Sequence, residues 1–309
     1  MSDTPPRASA LWLGRLLRIS DLWVWPNPVF VREFRVRLRG LRGNLLTLGY
    51  VGLVGLVVGM VYYFGIEVRR RWSAGGITQE DLGNTARGAV IGAWITQVLL
   101  LGAVLPGMLG AAVATERIRL TLEQLVMTPL RPRTIVFGKF NAAALQALYL
   151  IVASIPVIAV CFLVGGVSWS GVLPGAVVSI TAGLLIAAES LFFSALCRSP
   201  VTGVILSYVF VAIYFMGIPL GETAIVEALN AYGRHSSASM EPVSLPFVPW
   251  MAVTALLDKS IASPGYWLPG EDWWVASSSV ALAGAFVCLV GALAAMARVC
   301  RSVASTKAG

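Results

Sequence analysis

Apolar residues run along this chain in blocks of about twenty, separated by shorter polar intervals. A helical block of that length crosses the ~30 Å hydrocarbon core of a bilayer at 1.5 Å per residue. The blocks do not alternate residue by residue as barrel strands do. Backbone groups crossing lipid must therefore be paired inside helices. The pattern predicts an all-α membrane protein of six transmembrane helices, at about residues 45–66, 89–113, 142–164, 172–196, 201–220 and 273–297.

The intervals carry their own signals. Residues 1–44 form an N-terminal segment in which Asn27-Pro28 reads as a helix start, with Asn as N-cap and Pro in the first turn. On a helical period Phe30, Val31, Phe34, Leu38 and Leu41 share one face, and Arg32, Arg35, Arg39 and Arg42 the other. That is a basic amphipathic helix lying in the membrane interface; a solvated helix is the alternative. Residues 67–88 read as a polar loop. In the long external segment 221–272, the stretch Pro242–Leu257 is apolar, broken by prolines and too short to span, so it reads as re-entrant or interfacial. Trp250, Tyr266, Trp267, Trp273 and Trp274 supply an aromatic belt there. Residues 45–298 make up the six-span domain, and 299–309 a short tail. In the first span Gly55 and Gly59, four apart, suit close packing against a neighbouring helix, including that of a second subunit.

Composition agrees: 57% of the 309 residues are hydrophobic and 12% charged, with mean hydropathy +0.80, outside the usual range of soluble domains. The net charge of +8 raises nucleic acid as a partner, but the basic residues flank apolar spans, where orientation and lipid headgroups account for them. Eight lysines and arginines precede the first span and five lie in 114–141, against four in 67–88, none in 165–171 and two in 221–272. The bias puts both termini in the cytoplasm of a multi-pass protein of the inner (plasma) membrane. Arg69-Arg70-Arg71 is the exception, with headgroup contact its one explanation. The four cysteines, none in a C-x-x-C, imply neither a disulfide framework nor a zinc site.

The charged interval 114–141 carries the chemistry. Thr121 suits a helix N-cap, Gln124 completes a capping box, and Glu123 lies in the first turn where the helix dipole favours it. Pro129 ends the helix, and Pro132 stands near the start of the next. The result is a two-turn helix over 121–128 whose Leu122, Leu125, Val126 and Leu130 need a partner surface or the bilayer. This stretch resembles the coupling-helix region of ABC type-two permeases, the membrane subunits of ATP-driven exporters. Glu116 and Arg117, then Thr121-Leu122-Glu123, then Leu125, Val126, Thr128, Pro129 and Leu130, and finally Ile135, Val136, Gly138 and Lys139 match the pattern. Ile118, Leu120 and Arg131 depart from it. Asn27-Pro28-Val29 with Arg32-Glu33, and Ser194 to Arg198 with Ser207-Tyr208, resemble other parts of the same family.

The resemblance implies two six-span subunits around a translocation path, each docking its coupling helix into a separate cytoplasmic ABC ATPase. Glu116, Arg117, Thr121, Leu122, Glu123, Thr128 and Pro129 would form the docking surface; capping and solvation of a loop is the alternative. ATP and Mg belong to the partner, and this chain holds no cofactor. It has no G-x-x-x-x-G-K-[ST] phosphate loop, H-E-x-x-H or G-x-S-x-G, so it is read as a non-enzyme. Metal sites are not expected. Glu189, the carboxylate well inside a span, is either a translocation-path group or a structural fixture. Thr96 and Gln97 either line a path or bond neighbouring helices. The implied function is the permease subunit of an exporter; a non-transporting subunit that turns ATPase motion into mechanical work or assembly is the alternative.

Overall fold

The computed structural model describes residues 29–33, 41–72, 78–119, 132–164, 169–232, 247–257 and 272–306. These are helical almost throughout. After the short helical stretch 29–33 come α1 (Leu41–Trp72), α2 (Gln79–Leu109), α3 (Ala112–Ile118), α4 (Pro132–Val164) and α5 (Trp169–Leu196). Next, α6 (Pro200–Ala212) continues through a π segment, Ile213–Gly217, into α7 (Ile218–Tyr232). The short α8 (Pro249–Leu257) and the long α9 (Trp273–Thr306) complete the order. Among the described residues six helical runs are long and apolar enough to cross a membrane, which fits a multi-pass membrane protein.

The helices overrun the expected spans because polar residues extend them. The 67–88 interval, expected as a loop, is helical up to Trp72 and again from Gln79. Thr78 caps α2: its Oγ1 accepts from the Asp81 N–H at 3.2 Å, and Thr78 N–H donates to the Asp81 carboxylate at 3.0 Å. Such a reciprocal box satisfies two orphan donors of a helix start. Asp81 also receives Arg69 from the end of α1 at 2.9 Å, and Arg71 pairs with Glu67 one turn back at 3.0 Å. Two of the three arginines expected at lipid headgroups thus have carboxylate partners, and one of them staples α1 to α2.

Packing registers establish the topology. Gly65 faces Thr85 and Gly92 faces Val61, so α1 and α2 run antiparallel. Gly102 faces Val211 and Phe215, Gly107 faces Tyr208 and Gly110 faces Val204, so α2 and α6 do likewise. On α9, Gly284 meets Leu185 and Gly291 meets Phe192, which sets α9 parallel to α5. The small residues Ala281, Gly284, Ala285, Ala292 and Ala295 let α9 lie close against α5, a packing suited to helices that gain little from hydrophobicity in lipid. Of the six long runs α5 is the most buried, and the first and fifth the least. The main core joins Val54, Trp94, Leu101, Leu150, Ile186 and Val253. Gly59 and Gly52 have open space where a Cβ would be, and Gly55 lies at ordinary contact distance from Val157.

From the apolar segment between the fifth and sixth runs, Pro249–Leu257 folds as a nine-residue helix packed on α2, α5 and α9. The predicted helix 121–128, most of the predicted amphipathic helix, Tyr266 and Trp267 lie outside the described residues.

Candidate functional site

At one end of the bundle the chain concentrates charge. Helix α2 closes at Leu109, and its Gly110 N–H bonds back to Pro106 O at 2.8 Å. After a turn the backbone resumes as α3, only seven residues long. So short a helix cannot hold itself in place. Its orphan N–H groups need acceptors, and these come from α5: Ser194 Oγ accepts from Val113 N–H at 2.9 Å and from Ala114 N–H at 3.4 Å. At the other end of α3, Arg117 donates to Ala195 O at 2.9 Å and to Cys197 O at 3.4 Å. Those carbonyls sit at the C-terminus of α5, where helix carbonyls lack intrahelical donors and a cation is favoured. Helix α3 is therefore a crossbar fastened at both ends to the end of α5.

The next residue back, Glu116, links α3 to two other elements. Lys139, in α4, donates to Glu116 at 2.9 Å and to Glu33 of the 29–33 stretch at 3.0 Å. The lysine side chain is 2% exposed, and Glu33 and Glu116 are 18% and 15% exposed. A buried ammonium is tolerated because two carboxylates face it. Arg32 adds a looser, more exposed contact to Glu116 at 3.5 Å. Around this cluster Val113, Ile135, Val136, Leu191, Ala195 and Met296 form an apolar collar from α3, α4, α5 and α9. Burial pushes the Cys197 thiol above its ordinary range, while the charge of Arg117 pulls it down.

Of the residues read as a docking surface, Glu116 and Arg117 lie in this junction, with their charged groups turned into ion pairs and hydrogen bonds within the chain. Thr121, Leu122, Glu123, Thr128 and Pro129 lie outside the described residues. Lys139, Glu33 and Ser194 complete the junction, and sequence reasoning held each of them only as a letter of a family pattern, without a role. Lys139 closed the coupling pattern, Glu33 closed the N-terminal one, and Ser194 opened the pattern between the fourth and fifth spans. A weak signal existed: Glu116, Lys139 and Glu33 are isolated charges beside apolar runs, and such charges need each other.

The groups read as path-lining sit deeper. Gln97 is fully buried and accepts from Ser154 of α4. It bonds α2 to α4, as interhelical polar groups do. Thr96 turns its hydroxyl back to Gly92 O in its own helix at 2.7 Å. Glu189 is 0% exposed. One carboxylate oxygen accepts from Ser190 at 2.9 Å, and the other has no hydrogen-bond partner among the described residues. Helical periodicity sets it on the face between Leu185 and Phe192, which meets α9. Among the described residues no group of three His, Cys, Asp or Glu side chains is arranged to hold a metal. No known family pattern and no curated protein matches this chain.

Proposed function

We propose that this chain is the membrane-spanning permease subunit of an ATP-binding-cassette exporter, driven by a separate cytoplasmic ATPase. The resemblance over Glu116–Lys139 suggests it. One structural observation carries it: α3, which leads directly into the 120–131 interval, is fastened to the C-terminus of the most buried helix and ion-paired to α4. A push on that interval reaches α3, and through Ser194 and Arg117 it reaches α5. From α5 it passes to α9 along their shared face. In this reading Glu116 and Arg117 hold the coupling element to the bundle, and Thr121–Thr128 meets the ATPase. The junction end is cytoplasmic, ATP and Mg bind the partner, and two permease subunits enclose the path.

The test is gentle extraction followed by identification of what co-purifies. An ABC ATPase is expected with the native chain. Glu123→Lys is expected to reduce its recovery by about tenfold or more, since a like-charge contact across an interface costs several kcal/mol, while membrane insertion is unchanged. Full recovery with Glu123→Lys would remove the docking assignment. ATP turnover without solute flux in reconstituted vesicles would instead favour a subunit that performs mechanical work.

A further inference from the structure

The fifth long run carries a π segment whose cause is Pro219. In an α-helix the N–H of residue 219 would bond to Phe215 O. Proline has no N–H, and its ring crowds that carbonyl. Over Ile213–Gly217 the backbone widens into π turns, with Ile218 N–H reaching back to Ile213 O. Such widenings are rare and occur mostly as single insertions within α-helices, often at functional sites. Phe215 O is left without its α-helical donor, deep enough in the bundle that the Phe215 side chain is 2% exposed and lies against Gly102 of α2. A carbonyl there needs a donor.

The donor comes from another element. Trp250 Nε1, in the first turn of α8, donates to Phe215 O at 2.9 Å. One residue along, the Tyr214 hydroxyl donates to Phe247 O at 3.0 Å, just ahead of α8. The two bonds bracket the entry to α8. Behind them Val248, Ala252 and Val253 are buried, Val253 in the main core. The nine described residues of α8 reach only ~13 Å, short of the ~30 Å that a span needs.

We propose that residues 247–257 are a plug in the end of the bundle away from the charged junction, held by a latch that Pro219 creates. Trp250 takes the carbonyl that Pro219 frees, and Tyr214 secures Phe247 beside it. The π segment and the seated plug share one carbonyl, so each supports the other. Withdrawing the plug takes the Trp250 donor away from Phe215 O and allows the 213–217 backbone to rearrange. Opening of this end therefore requires the latch to break. The latch stands independently of how the junction end is driven.

The experiment uses the full chain with Cys161, Cys197, Cys288 and Cys300 replaced by alanine, in lipid nanodiscs open on both faces. A single Val253→Cys reporter on the plug is labelled with N-ethylmaleimide, and the rate is read. The parent is expected to label slowly. Tyr214→Phe keeps the ring and Trp250→Phe an aromatic ring of smaller size, both remove the donor, and each is expected to raise the rate by up to about tenfold. Pro219→Ala restores an N–H that competes with Trp250 for Phe215 O, and alanine favours a helix interior far more than proline does. It is expected to speed labelling with no fall in thermal stability, an outcome that general damage does not produce. A second reporter, Val113→Cys in the junction collar, should keep the parent's rate in every variant. Unchanged labelling at Val253→Cys in all three variants would overturn the latch, as would equal acceleration at Val113→Cys.

Discussion

Lys139 sets the tone at the scale of single residues. Its ammonium is nearly fully buried, yet it stands between two carboxylates from distant parts of the chain. Removing one member of such a group leaves uncompensated charge, which is why breaking a buried pair costs more than the pair itself contributes. Lys139→Met is expected to destabilise the protein by about 2–4 kcal/mol, since Glu33 and Glu116 would lose the ammonium between them and Glu116 would keep the looser Arg32 contact in its place. Glu33→Gln should cost less, because Glu116 still holds the ammonium at 2.9 Å. Thermal unfolding of the detergent-solubilised chain checks both, and equal losses would argue against the lysine as the hub. Sequence reasoning reached Glu116 and Arg117 but not their partners. Residue type and local spacing carry no information about an ion pair formed across 106 positions.

Between elements, the decisive contact is the crossing of α2 and α6. A Cβ at Gly203 would stand 2.3 Å from Gly110 O, so the two backbones touch where α2 ends and α3 begins. Glycine here is a requirement of close approach. Gly203→Ala is expected to force the helices apart and cost about 1–3 kcal/mol, the usual effect of overpacking. Gly59→Ala, with open space outward, should be neutral or stabilising by up to about 1 kcal/mol in an isolated subunit. A melting series on the two variants checks the contrast. Both glycines stand in apolar runs, and periodicity alone does not say which one touches a neighbour. The capping box at Thr78 and Asp81 is the opposite case: it is local, it extends α2, and its spacing was there to be read. Pro219 was also local, but its consequence was not, because the group that answers it, Trp250, is 31 positions further along the chain.

For the whole molecule, the question is how the charged junction and the bundle move together. Helix α3 is tied to α5 by Ser194 and Arg117, α5 packs along α9, and α4 and the 29–33 stretch join at Lys139. If this is the transmission route, Ser194→Ala should leave ATPase recovery intact and lower ATP turnover of the complex several-fold. It removes the acceptor of two buried N–H groups, typically about 1–3 kcal/mol per orphaned group, without touching the docking segment. Turnover equal to that of the native complex would detach Ser194 from the route. The sequence by itself determined the class of the protein: helical, built of six apolar runs, with its charges gathered between them. Those properties follow from hydropathy, length and the cost of unpaired backbone in lipid, all of which are local. The tertiary structure alone decided which charges are partners, which glycines are contacts, which run is central and where the short eighth helix is held. Each of those depends on side chains from distant segments meeting in one place, and helical periodicity gives a residue a face without naming what it faces.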